Sequence, residues 1–127
     1  MSNRSSTSGK LILVVEDDQM NAEVVSTIIR QETPHLVRAA STGMEALQVV
    51  QQITPDLFLL DVELPIMNGL ELYDRLHVLP GLERVPVLFL SASILRAEVE
   101  ARHLPLLEKP YELETFLSAL EEALQFP

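Results

Sequence analysis

Short apolar runs alternate with helix-spaced apolar positions along most of this chain. Residues 11–15 (LILVV) are aliphatic and too few for a helix, so they read as a strand buried on both faces. Over residues 19–31, Val24, Val25, Ile28 and Ile29 recur at helical spacing. Residues 36–39 predict a second strand, and Ser41, Thr42 and Gly43 open a helix carrying Ala46, Leu47 and Val50. Pro55 stops that pattern, and LFLL (57–60) is a third strand ending at Asp61. Asn68 and Gly69 start a helix with Leu70, Leu72, Tyr73 and Leu76, closing near Pro80 and Gly81. After Pro86, VLFL (87–90) is a fourth strand ending at Ser91. Residues 94–102 predict a short helix. Residues 104–107 predict a fifth strand whose Pro105 suits an edge, because proline donates nothing to a ladder. Leu113, Phe116, Leu117, Leu120 and Leu124 trace one face of a last helix.

Five strands alternating with five helices imply βαβ units: an α/β fold with a doubly wound parallel sheet covered on both faces. Ligands of such sheets bind beyond the carboxyl ends of the strands. The 127 residues, 47% of them hydrophobic, suit one domain with one core. The polar, small-residue start predicts a flexible tail over residues 1–9 and a domain over residues 10–127. With no cysteine, disulfides and thiolate metal sites are excluded, which fits a reducing, cytoplasmic setting. No apolar run reaches the length of a membrane span, and no secretory signal pattern opens the chain. A net charge of −10 disfavours direct nucleic-acid binding, which needs a basic footprint. It suits a partner-binding protein or a metal site.

The strand ends collect the chemistry. Strand one runs into Glu16, Asp17 and Asp18, strand three into Asp61, strand four into Ser91 and strand five into Lys109. Like charges side by side repel, and a buried carboxylate without a partner is costly. Several carboxylates beside a hydroxyl and one ammonium make an oxygen-rich site for a hard divalent cation, above all Mg2+. A carboxylate there can also act as a nucleophile toward phosphorus, which makes Asp61 the acid of most interest. Each piece alone has a plainer meaning: an acidic triplet is commonly a solvated helix start, and an Asp before Pro65 a turn. Only their joint placement at one sheet edge outweighs this.

The set VVEDD, LLDVELPIMNG, LFLSAS and LEKP resembles the receiver domain of two-component response regulators, in that family's order, over residues 11–126. The chain resembles a chemotaxis-regulator-like single receiver domain. The resemblance implies a flavodoxin-like sheet in strand order 2-1-3-4-5 with five helices. It makes Asp61 the phosphoacceptor, and Glu16 and Asp17 the acidic pair for Mg2+, with Asp17 the direct ligand. The backbone carbonyl of Glu63 joins Asp61 and that pair at the metal. Ser91 matches the hydroxyl that bonds the phosphoryl group, and Lys109 the phosphate-pairing lysine, followed by Pro110 across a bond that is often cis in the family. Asp18 then falls to capping the first helix. Glu63 and Ser93, each two residues past a site residue, are expected to tune the phosphorylated lifetime through the attacking water. Asn68 and Gly69 read as structural, Met67 as packing, and His35, His77 and His103 as residues without a role in the chemistry.

Two departures stand out. Leu106 occupies the switch position where many receivers carry an aromatic residue that moves together with the Ser/Thr, here Ser91. The stretch from Ser91 to Lys109 is also shorter than common, so the fourth helix is expected to be short or irregular. The implied function is a phosphorylation-dependent switch in a phosphorelay. A histidine kinase or histidine phosphotransfer protein is the donor, the effector is unidentified, and the protein is not a metabolic enzyme. It reads as a stand-alone regulator or as a receiver from a hybrid kinase, a type that the EDDxxN run through Asn21 resembles. A binding module that keeps only the fold is the alternative. An aspartyl-nucleophile phosphatase fits less well, since its nucleophile ends the first strand and a substrate-covering cap is missing.

Overall fold

The structure is a computed structural model that describes residues 9–92 and 96–125. Five parallel strands, β1 (Leu11–Val15), β2 (Leu36–Ala40), β3 (Leu57–Asp61), β4 (Val87–Ser91) and β5 (Leu106–Glu108), form one sheet in the order β2-β1-β3-β4-β5. Helices α1 (Gln19–Glu32), α2 (Gly43–Val49), α3 (Gly69–His77), α4 (Arg96–Ala101) and α5 (Leu113–Gln125) alternate with them. The expected fold class is therefore the observed one, including the strand order and the short fourth helix.

The period-2 alternation of strand side chains divides the core in two. Leu13, Val15, Phe58, Leu60 and Phe89 pack with Ala46, Val49, Leu72, Leu76 and Val99, on the side of α2, α3 and α4. Ile12, Val14, Leu57, Leu59, Leu88 and Leu90 pack with Val25, Ile29, Phe116 and Leu120, on the side of α1 and α5. β3 and β4 are buried at every position, as strands covered on both faces must be. The register Val15↔Leu60 and Asp61↔Leu90 brings the ends of β1, β3 and β4 to one level.

Helix starts are fixed by side-chain caps. Asp18 Oδ1 accepts from the Asn21 N–H at 3.0 Å and caps α1, the role expected of it. At α3, Asn68 Oδ1 accepts from the Glu71 N–H and Glu71 Oε1 accepts from the Asn68 N–H, a reciprocal capping box.

The fifth strand differs from expectation. It begins at Leu106, after Pro105, and runs on to Glu108. Pro105 contributes only its carbonyl, which accepts from the Phe89 N–H at 3.0 Å. Having no N–H, it marks the ladder's entry and lies outside the strand. Val99 is fully buried, and the Arg102 guanidinium grips both oxygens of Asp74 at 2.8 and 3.1 Å, which ties the end of α4 to α3. His35, given no chemical role, is a buried tie: its Nε2 lies 2.9 Å from Glu121 on α5. His77 stacks on Tyr73, and Met67 is core packing. Ser93, the start of the expected fourth helix and the tail before Gly9 lie outside the described residues.

Candidate functional site

At the carboxyl end of the sheet the backbone is tightly joined. The Val62 N–H donates to the Leu90 carbonyl at 2.9 Å, the Glu16 N–H to the Ala40 carbonyl at 3.1 Å, and the Lys109 N–H to the Ser91 carbonyl at 2.9 Å. These bonds bring together strand ends from four places in the sequence, which carry Glu16 and Asp17, Asp61, Ser91 and Lys109. Glu16 and Asp61 are buried at 4% and 5% exposure, Ser91 is fully buried, and Asp17 is exposed.

Carboxylate oxygens of Glu16, Asp17 and Asp61 lie within 4.8 Å of one another. The Lys109 ammonium is 3.4 Å from Glu16 Oε1 and 3.4 Å from Asp61 Oδ2, so one cation serves two buried acids. That is insufficient neutralisation. Burial, together with the charge of Asp61, lifts the Glu16 carboxyl to about 7, against the opposing pull of the Asp18 N–H and Lys109. Burial works to lower the Lys109 pKa, but the charges of Asp61 and Glu16 and its bonds to both prevail and hold it above the ordinary lysine value. Tyr111, beside them, is raised mainly by burial. The unbalanced negative charge and all-oxygen donor set fit a hard divalent cation such as Mg2+. An open groove of about 420 Å3 leads from this point between α1 and the segment that follows β5, lined by Glu16, Asn21, Val24, Lys109 and Tyr111 among others.

The Glu63 N–H donates to Asp61 Oδ1 at 3.0 Å and helps to orient the carboxylate. The Glu63 side chain turns toward β4, where it accepts from the Ser91 hydroxyl at 2.6 Å and the Ala92 N–H at 3.2 Å. This contact is not legible in the sequence, since nothing in residue spacing tells which way a loop carboxylate points. The role of Gly69 was also missed in part. A Cβ on Gly69 would lie 2.5 Å from the Asp61 carbonyl oxygen and 2.9 Å from Val62 Cα, so only glycine lets α3 start against the back of Asp61. The Gly69 N–H donates to the Val62 carbonyl at that approach. Leu106 is half-buried and packs against the cluster that holds Phe89, and the Lys109–Pro110 bond is cis.

A family model of the response regulator receiver domain matches residues 12–121. The chain belongs to the response regulator receiver domains. This receiver is 31% identical over 91 residues to the polar-differentiation response regulator DivK of Brucella ovis, covering 72% of the chain and 73% of that protein. The chemotaxis response regulator CheY4 of Vibrio cholerae superposes with a TM-score of 0.82 at 25% identity, over 91% of this receiver and 99% of that chain. The receiver domain of the sensor histidine kinase PA1611 from Pseudomonas aeruginosa shares the fold at a TM-score of 0.80 and 24% identity, over 92% and 98% of the two chains. That domain is described with a magnesium ion coordinated in its active-site cleft. No helix among the described residues is long and apolar enough to cross a membrane.

Proposed function

We propose that this receiver, over residues 10–127, is a cytoplasmic phosphorylation switch that accepts a phosphoryl group on Asp61 from a histidine kinase or a histidine phosphotransfer protein. The observation that carries the reading is the burial of Asp61 at the end of β3, within reach of Lys109 and of the acids that follow β1. A buried carboxylate with one shared cation is a poor structural choice, and a good nucleophile once its surroundings favour charge on phosphorus.

In the transfer, an Asp61 oxygen attacks phosphorus in line with the donor. The new P–O bond forms as the P–N bond to the donor imidazole breaks, and the leaving nitrogen keeps the electron pair and takes a proton from solvent. Lys109, 3.4 Å from Asp61 Oδ2, pairs with one phosphoryl oxygen, and the Ser91 hydroxyl donates to another. Asp17, Asp61, Glu16 and the Glu63 carbonyl would hold Mg2+, which supplies charge neutralisation on the phosphoryl oxygens when bound. Hydrolysis reverses the state: water attacks phosphorus, the P–O bond to Asp61 breaks, and phosphate leaves. The output is a shifted conformational population rather than a released metabolite.

Beryllofluoride, a stable phosphoryl mimic, tests this through tyrosine fluorescence, because Tyr111 lies beside the site and the chain has no tryptophan. Saturable, Mg2+-dependent binding that is lost in Asp61→Asn is the expected result. Equal binding by Asp61→Asn, or binding without Mg2+, would contradict it.

A further inference from the structure

Glu63 places two anionic oxygens on two adjacent donors of β4 and its exit, the Ser91 hydroxyl and the Ala92 N–H. Its own N–H is bonded to Asp61 Oδ1, so this carboxylate and the candidate phosphoacceptor share one loop turn. The 2.6 Å O–H···O⁻ contact lies in the range of strong charge-assisted bonds. A phosphoryl group on Asp61 would present the same kind of acceptor to the same donors.

We infer that the Glu63 carboxylate is an internal stand-in for the phosphoryl group: it occupies the Ser91 and Ala92 donors and must leave them before they can serve the transfer. The inference rests on Asp61 being the phosphoacceptor. Two consequences follow from the chemistry. Phosphorylation must break two bonds to a carboxylate, and the displaced anion then stays beside an incoming dianion, so both terms slow the reaction. On hydrolysis the carboxylate returns and re-forms the resting arrangement. Glu63 acts here through Ser91 and is a positioning residue.

The test combines Glu63→Gln and Glu63→Ala with Ser91→Ala, alone and as double variants. In metal-free protein, the Ala92 amide proton resonance should move upfield in both Glu63 variants, as expected on losing a carboxylate acceptor. With acetyl phosphate and Mg2+, Glu63→Ala should form the adduct roughly tenfold faster than the parent, a change of the size one lost charged hydrogen bond produces. Glu63→Gln, which keeps the shape without the charge, should lie between. In the Ser91→Ala background the gain should shrink to the part due to the Ala92 bond and to charge repulsion. Adduct formation that is unchanged or slower in both Glu63 variants overturns the inference, as does a gain of equal size without Ser91. If the parent takes no phosphoryl group while the Ala92 resonance still moves, the phosphoacceptor reading itself fails. The contact is then only a loop tie.

Discussion

The two connections that flank the pocket are built on different terms. Between β3 and α3, the backbone itself closes the gap: Gly69 stands against the Asp61 carbonyl, its N–H bonds to Val62, and a capping box fixes the helix start. Between β4 and β5, the chain makes a six-residue helix and a three-residue edge strand, anchored by the buried Val99 and by an exposed ion pair of Arg102 with Asp74. Asp61 therefore sits on backbone contacts that tolerate no added atom, whereas the helix that follows Ser91 is held to the rest of the fold by side chains. A phosphoacceptor at Asp61, as proposed, would gain from such a fixed position.

Breaking the fixed side should have the largest effect. Gly69→Ala adds a methyl group where backbone already stands, and is expected to destabilise the protein by about 3 kcal/mol or more, the upper range for overpacking. Urea unfolding measures this directly, and a loss under about 1 kcal/mol would show that the approach relaxes easily.

The acids come next. Glu16 is raised to about 7 in the fold from an ordinary value of 4.5, so between those pH values the folded state binds more protons than the unfolded one. Its contribution to stability therefore falls as pH rises through that window, by about 2 kcal/mol after allowance for its coupling to Asp61 and Lys109. Mg2+ bound as proposed would offset the penalty by pairing the ionised acids. Thermal unfolding should show stabilisation by Mg2+ that is larger at pH 8 than at pH 5, and a uniform Mg2+ effect across pH would contradict the assignment.

A smaller effect of opposite sign is expected in the loop before α3. Ile66 is fully exposed and holds φ at +67°, a region that β-branched residues avoid. Ile66→Asn should stabilise by about 1 kcal/mol, since asparagine enters this region with less strain. The smallest effect belongs to the connection between β4 and β5. Arg102→Ala removes an exposed pair and is expected to cost at most about 1 kcal/mol, with phosphoryl uptake unchanged. A large loss of uptake would mean that α4 is tied to the site more firmly than its contacts indicate.

These elements differ in how far the sequence disclosed them. The runs at 11–15, 57–60 and 87–90 were legible as strands because central strands are buried on both faces and need no alternation. Asp61, Ser91 and Lys109 followed as the residues at strand ends. β5 was misplaced by two residues at its start, since an edge strand of three residues carries little pattern and Pro105 bonds through its carbonyl from outside the strand. The Glu63 contact and the closeness of Gly69 to Asp61 were illegible for another reason. Both depend on where two backbones meet in space, which local residue patterns do not encode.

Everything proposed for this receiver depends on Asp61 being the phosphoacceptor and on the acids around it serving Mg2+. Intact-protein mass after incubation with acetyl phosphate, with and without Mg2+, beside Asp61→Asn, tests it most directly. A single phosphoryl adduct that requires Mg2+ and is absent from Asp61→Asn is the expected result. A folded protein that takes no adduct, or an Asp61→Asn variant that takes the same one, would contradict it.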